Sequence, residues 1–210
     1  MNNVERLLAE KLLEIRAIKL QLDNPFTWGS GWLSPVYTDN RKLLSYPKVR
    51  TFVKTEISRI ILENFGDAEA IAGVATGAIA HGALVADNLS LPYAYVRLTP
   101  KDHGLENLIE GNLKLGQKVV VIEDNISTAH SSLKVVEALR SAGCEVVGMV
   151  AIFTYGFVQS ETALRKAGVR LVSLTSFDAM VEAALQTKYI TATDAKNLQA
   201  WRRDPETWTN

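Results

Sequence analysis

Short apolar runs alternate with amphipathic stretches over most of the chain, and this alternation limits the possible folds more than any other feature. Continuous Val/Ile runs such as residues 119–122 are typical of strands buried on both faces. Strands are predicted at residues 70–74, 93–97, 118–123, 145–153 and 170–174. Helices are predicted at residues 4–18, 47–65, 79–88, 131–142, 159–167, 179–186 and 194–203. The alternation predicts an α/β protein with a central parallel sheet flanked by helices.

The composition indicates one globular domain over residues 1–210, with 47% hydrophobic and 22% charged residues. Lys plus Arg and Asp plus Glu both number 23, so no broad basic surface is predicted for nucleic acid or an anionic membrane. Cys144 is the only cysteine, which favours a reducing compartment. No apolar stretch approaches the ~20 residues of a membrane span. We therefore expect a cytoplasmic protein with no membrane or nucleic-acid partner.

The third predicted strand runs directly into a segment that combines acids with small hydroxyl residues. Glu123 and Asp124 end the apolar run, and Ser127, Thr128 and Ser131 surround the start of a helix. The N-terminus of a helix presents unpaired N–H groups and a positive dipole end, which bind phosphate, while acids can hold ribose hydroxyls or a metal. The pattern predicts a sugar-phosphate site. The alternative is that the hydroxyl residues are only helix N-caps.

This segment, VVVIEDNISTAHSSLKVVEALRSAG, resembles the motif with which type I phosphoribosyltransferases bind PRPP (5-phosphoribosyl pyrophosphate). Orotate phosphoribosyltransferases commonly show a similar string, with Gly-Gly where this chain has Ala129-His130. The resemblance implies the type I phosphoribosyltransferase fold, with a small hood formed by about residues 1–45 and the C-terminal helices. It also implies PRPP contacts from Glu123, Asp124, Asn125, Ile126, Ser127, Thr128, Ala129, His130 and Ser131.

Residues 97–104, RLTPKDHG, follow the second predicted strand and are similar to the mobile catalytic loop of orotate phosphoribosyltransferases. Potential cations in a segment with Pro and Gly suit a polyanion such as pyrophosphate, and closing loops exclude water during group transfer. The resemblance implies that Arg97, Lys101 and His103 bind PRPP and, with Asp124, act in catalysis. The alternative is an ordinary solvated loop.

Two further segments resemble parts of the same family. Ala75, Thr76 and Gly77 follow the first strand, and they match the loop that holds pyrophosphate, although tight strand–helix packing needs the same small residues. Residues 26–41 are similar to the hood over the pyrimidine, which implies orotate contacts from Tyr37 and Ser127. The alternative for the hood is aromatic packing without ligand contact.

The resemblance implies a specific enzyme activity, the transfer of the phosphoribosyl group from PRPP to orotate in pyrimidine biosynthesis. It implies Mg²⁺ carried by PRPP, with no ligand directly from the protein, and a homodimer in which one subunit's loop reaches the other's site. Two alternatives stay open. One is a PRPP-binding regulator without catalysis, which the Ala129-His130 pair favours. The other is transfer to a purine base, against which the hood aromatics and the loop motif argue.

Overall fold

The computed structural model describes residues 2–99 and 108–208. Within these residues the helices are α1 (Asn3–Glu14), α2 (Pro47–Asn64), α3 (Ile79–Leu89), α4 (His130–Ser141), α5 (Val158–Lys166), α6 (Phe177–Gln186) and α7 (Ala192–Arg203), with a 3₁₀ helix η1 (Asn40–Ser45). The strands are β1 (Ile18–Leu20), β2 (Phe26–Thr27), β3 (Leu33–Ser34), β4 (Val36–Thr38), β5 (Ala70–Val74), β6 (Tyr93–Val96), β7 (Ile109–Glu110), β8 (Lys118–Ile126), β9 (Glu145–Thr154) and β10 (Leu171–Ser176). No helix in this part of the chain is both long and apolar enough to cross a bilayer.

The central sheet has six strands in the order β10-β9-β8-β5-β6-β7. Its five longer strands pair in parallel. Only the short β7, which lies at the edge of the sheet, is antiparallel, and it pairs with β6. Strands β5, β8 and β9 supply the centre of the hydrophobic core and are almost entirely buried. The predicted parallel sheet flanked by helices is confirmed. Strand β7 was not predicted because two residues carry no periodic pattern.

Strand β8 continues three residues beyond its predicted end at residue 123. Its parallel pairing with β9 extends to the pair Ile126–Thr154, whereas its pairing with β5 stops at Ile122. Glu123 and Asp124 therefore belong to the last residues of β8, in the part of the strand that projects past its neighbour β5. This projection places Asp124 beside the loop that follows β5.

The predicted first helix is wrong at its end. Helix α1 ends at Glu14, and Ile18 begins β1, where it pairs with Thr38 of β4. The physical reason lies at Arg16, which has φ 54° and so interrupts the helix with a left-handed residue. The apolar side chain of Ile18 is buried, as predicted, but it belongs to a strand.

The hood consists of two small antiparallel pairs, β1 with β4 and β2 with β3. Aromatic contacts join it to the end of the chain, because the Trp28 ring lies 5.6 Å from the Trp201 ring of α7. The Trp201 indole N–H donates to the Leu33 carbonyl over 3.0 Å. One hydrophobic cluster includes residues of every helix from α1 to α7. A single domain over residues 1–210 stays a prediction.

Candidate active site

The candidate site lies at the carboxyl edge of the sheet, where the parallel strands β5, β6 and β8 all end. Ligands of open parallel sheets bind at this edge because the strand–helix loops and the helix N-termini meet there. Three of the four predicted segments follow these strands, and the hood lies against the loop after β8. We call residues 123–131 the cradle.

Glu123 is the buried member of the acid pair, with 4% of its surface exposed. One carboxylate oxygen accepts from the Ser132 hydroxyl over 2.7 Å, and the other accepts from the Asp124 backbone N–H over 3.0 Å. Burial raises the pKa of Glu123 well above its usual value, and the neighbouring Asp124 charge raises the pKa further. Both oxygens of Glu123 thus already bond within the protein.

Asp124 is half-buried and lies against the loop after β5. A Cβ built on Gly77 would lie 2.5 Å from Cγ of Asp124, which is closer than two carbon atoms can approach without a shift. Gly77 therefore permits this close approach. Three residues were predicted to hold pyrophosphate: Ala75, Thr76 and Gly77. Of these, Gly77 contacts the Asp124 carboxylate.

The remainder of the cradle leads into the N-terminus of α4. Ser127 and Thr128 are half-buried, and His130 and Ser131 are exposed at the helix start. Ala129 is the N-cap, with φ 64°, and it has no side-chain cap hydrogen bond. The first N–H groups of a helix have no intrahelical partner, so those of α4 can donate to an anion. The alternative in which the hydroxyl residues are only N-caps does not apply to α4, because its N-cap is Ala129 and no side chain caps it.

A cleft of about 380 Å³ separates the cradle from the hood, and we call it the hood cleft. Its lining comprises Thr27, Trp28, Gly29, Ser30, Trp32, Tyr37, Thr38, Asn125, Ser127, Thr128 and Tyr155. The Thr38 and Tyr155 hydroxyls are hydrogen-bonded at 2.7 Å and tie the hood to the end of β9. The two residues predicted to contact orotate, Tyr37 and Ser127, lie on this one cleft.

Arg97 follows β6 and lies at the same edge of the sheet. Its backbone N–H donates to the Leu108 carbonyl over 2.8 Å, and its guanidinium lies 3.8 Å from the Glu110 carboxylate. Both side chains are partly exposed, and ion pairs of this kind contribute little. Lys101 and His103 lie outside the described residues.

A larger cleft of about 520 Å³ lies between α5 and the residues that follow α7. None of the predicted site residues lines it. Its Arg202 guanidinium lies 3.4 Å from the Asp178 carboxylate and 3.4 Å from the Gly156 carbonyl oxygen. The candidate active site is therefore the cradle together with the hood cleft, where acids, hydroxyls and a helix N-terminus converge.

Comparison with known proteins identifies the family. The phosphoribosyl transferase domain family matches residues 43–184. The orotate phosphoribosyltransferase of Bacteroides thetaiotaomicron is 64% identical over 208 residues, which cover 99% of this chain and 98% of that protein. The chain belongs to the orotate phosphoribosyltransferases. The enzyme of Porphyromonas gingivalis is 61% identical over 99% of both chains. The crystal structure of the Aeropyrum pernix orotate phosphoribosyltransferase has a TM-score of 0.76 at 31% identity, over 88% of this chain and 99% of that one.

Several residues of this orotate phosphoribosyltransferase site were not predicted from the sequence. Thr38 and Tyr155 join the two sides of the hood cleft, and Trp28 and Trp32 line it. Tyr155 directly follows β9, and this position at a strand end is its signal in the sequence, whereas its contact with Thr38 is visible only in the tertiary structure. The contact between Asn40 and the cradle depends on the tertiary structure, and no motif indicates it.

Proposed function

We propose that this chain transfers the 5-phosphoribosyl group of PRPP to orotate and releases pyrophosphate, a step of pyrimidine biosynthesis. The observation that carries the proposal is that the cradle and the hood cleft are continuous, because Asn125, Ser127 and Thr128 belong to both. The cradle suits a sugar phosphate, and the hood cleft suits a flat ring. Reactants held in the two places meet where the new bond forms, which removes most of the entropic barrier to their reaction.

In this proposal PRPP occupies the cradle. The exposed N-terminus of α4, with Ser127, Thr128, Ala129, His130 and Ser131, binds the 5′-phosphate through N–H and hydroxyl donors. The Asp124 carboxylate accepts the ribose hydroxyls. Glu123 belongs to the same acid pair but is far less accessible. Asn125 and Ile126 complete the segment, and Ala75, Thr76 and Gly77 receive the pyrophosphate.

Orotate occupies the hood cleft, beside Tyr37 and Ser127. The Tyr37 ring packs against the Phe26 ring, with 5.4 Å between the ring centroids. Trp28 contacts Tyr155 at 5.0 Å between ring centroids, so aromatic side chains form much of the wall. A flat pyrimidine can stack against such a wall, and the Ser127 hydroxyl can hydrogen-bond to its polar edge.

Displacement at the anomeric carbon forms a bond from a ring nitrogen of orotate, whose proton passes to water. It breaks the bond to pyrophosphate and places the bonding electrons on the pyrophosphate oxygen, while positive charge develops on the ribose. We propose that Arg97, Lys101 and His103 stabilise the leaving pyrophosphate, and that Lys101 or His103 supplies a proton. PRPP phosphates can compete for Arg97 because its present partner is a partly exposed carboxylate. In this proposal the Asp124 carboxylate holds the ribose hydroxyls during the displacement.

Mg²⁺ fits the residues that are present. Mg²⁺ prefers oxygen ligands and keeps several of them as water or substrate phosphate. The Asp124 carboxylate packs against Gly77, so it places a negative charge beside the loop that is proposed to receive the pyrophosphate and its ion. The described residues contain no group of three or more candidate metal ligands, so in this proposal PRPP and water supply the ligands of the ion. The ion would neutralise charge on the pyrophosphate.

The proposal includes a homodimer in which the loop that contains Lys101 and His103 completes the neighbouring subunit's site. It also includes a cytoplasmic location, which the lone, buried Cys144 supports because it forms no intrachain disulfide. Sedimentation at micromolar concentration tests the dimer. Mixing an inactive Lys101 variant with an inactive Asp124 variant tests the shared loop, since mixed dimers would regain one intact site.

The test of the reaction is to mix the protein with PRPP, Mg²⁺ and orotate and to follow the loss of orotate absorbance. Loss of absorbance that requires all three components is the expected result. Uracil and adenine are the control bases and should not react. Binding of PRPP without loss of orotate would favour the regulator, and consumption of adenine would favour the purine-base enzyme.

A further inference from the structure

Two buried polar side chains outside the predicted site form a short series of hydrogen bonds that ends at the backbone of Asp124. Asn40, at the start of η1, has no exposed surface, and its side-chain N–H donates to the Asp124 carbonyl over 2.5 Å. His81, in α3, is 3% exposed, and its Nε2 lies 3.2 Å from the Asn40 carbonyl oxygen. Because a carbonyl only accepts, Nε2 carries a proton and donates. The hydrogen bonds therefore connect α3 to η1 and η1 to β8.

The Asp124 peptide is held on both of its sides by side chains. Its N–H donates to Glu123 over 3.0 Å, and its carbonyl accepts from Asn40. The Asp124 carboxylate meanwhile packs against Gly77, at the position that a Cβ there would need. His81 lies in the first turn of α3, which directly follows the loop that contains Gly77. The hydrogen bonds from His81 to Asn40 and from Asn40 to Asp124 thus set the position of the loop after β5 relative to Asp124.

Stability alone accounts poorly for Asn40. Burying an amide is unfavourable unless its polar atoms are hydrogen-bonded, and Oδ1 of Asn40 is buried with no hydrogen-bond partner among the described residues. The favourable bond from Nδ2 is offset by this unpaired acceptor. Burial lowers the pKa of His81, although the Asn40 carbonyl and the Asp124 charge oppose this shift. The neutral imidazole still carries the Nε2–H that the contact requires.

We propose that Asn40 and His81 are positioning residues for phosphoribosyl transfer. They hold the Asp124 backbone, and with it the carboxylate, at the distance from the Gly77 loop at which PRPP binds. Neither residue touches the substrates in this proposal. The inference rests on the proposed function, because it assigns a role within the same site.

The first test is Asn40→Leu, which keeps the size of the side chain and removes the donor. The KM for PRPP, and the PRPP dissociation constant from calorimetry, should rise about tenfold, as expected for loss of one buried hydrogen bond. The KM for orotate should stay unchanged. Ser58→Ala is the matched control: Ser58 is buried and accepts from Asn88 over 3.0 Å at the opposite end of α3. It should lower the melting temperature and leave PRPP binding unchanged.

The second test compares His81→Gln with His81→Asn and covers the case in which Asn40→Leu does not fold. A Gln amide N–H can take the place of Nε2–H, whereas the Asn amide is too short. PRPP affinity should therefore be close to wild type in the Gln variant and weakened about tenfold in the Asn variant. Equal PRPP affinity in both His81 variants, or a lower melting temperature with unchanged PRPP affinity, would overturn the proposal. If the wild-type chain binds PRPP but transfers nothing to orotate, the proposed function fails, and calorimetry still decides the role of Asn40 and His81.

Discussion

The two sides of the active site are built in different ways. The cradle is one continuous segment, residues 123–131, at a single strand–helix connection. The wall of the hood cleft comes from the N-terminal hood and from Tyr155 after β9, and Trp201 of α7 supports it. A substitution in the cradle should therefore lower the affinity for PRPP with little effect on the rest of the molecule. A substitution that disrupts packing of the hood should both lower the stability of the protein and weaken the binding of orotate.

The largest expected effect is that of Trp201→Ala on the hood. Trp201 is completely buried, so the free energy of unfolding should fall by about 3–5 kcal/mol. The KM for orotate should rise because Trp28 loses its contact with α7, while PRPP affinity changes much less. Urea denaturation and steady-state kinetics measure the two quantities. Trp201→Phe, which keeps an aromatic ring, is the control, and equal changes for both substrates would show that the two sides are not independent.

The next effect is that of Asp124→Asn on the cradle. A neutral amide is a weaker acceptor for ribose hydroxyls than a carboxylate, so PRPP affinity should fall by roughly tenfold to a hundredfold. Orotate binding should change less. Calorimetry with PRPP and Mg²⁺ measures the affinity, and Asp87→Asn, at an exposed acid of α3, serves as the control. Unchanged PRPP affinity would make Asp124 a purely structural residue.

Glu123→Gln should change how stability depends on pH. The pKa of Glu123 is raised in the folded protein, so between the unfolded value of about 4.3 and the raised value the folded state binds more protons than the unfolded state. The free energy of unfolding of the wild type therefore falls as pH rises through this range, by about 1.4 kcal/mol for each unit of pKa shift. The Gln variant should lack this contribution. Urea denaturation from pH 4.5 to 8 gives both profiles, and parallel profiles would disprove the raised pKa.

The smallest effect is that of Ala129→Gly at the N-cap of α4. Ala129 has φ 64°, a conformation that costs a residue with a Cβ roughly 1–2 kcal/mol. Glycine removes that strain but loses about 0.5–1 kcal/mol through the greater freedom of the unfolded chain. The net gain in unfolding free energy should be between about 0 and 1.5 kcal/mol. Ser90→Gly is a comparable control, since Ser90 has φ 54° at the C-cap of α3. A clear loss of stability in Ala129→Gly would show that the Ala methyl contributes packing that outweighs the strain.

The sequence predicted the sheet well because its strands carry continuous apolar runs. Strand β5 was placed correctly to the residue, and β8 was found with its start correct and its end three residues short. The error at β8 has a physical reason, because acids and Asn are not typical strand residues, and pairing with β9 keeps them in the strand. The helix predicted over residues 4–18 failed beyond Glu14 because apolar spacing does not reveal a left-handed residue such as Arg16.

By itself, the sequence determined the α/β class and the order along the chain of acids, hydroxyls and helix start in the cradle. It also determined the resemblance to orotate phosphoribosyltransferases. Each depends on residues that are neighbours in the chain, so the sequence contains the information without the tertiary structure. Only the tertiary structure decided that Tyr155 completes the hood cleft, that Gly77 admits the Asp124 carboxylate, and that Asn40 holds the Asp124 peptide. These contacts join residues that are far apart in sequence, and packing of the whole core brings them within hydrogen-bonding distance.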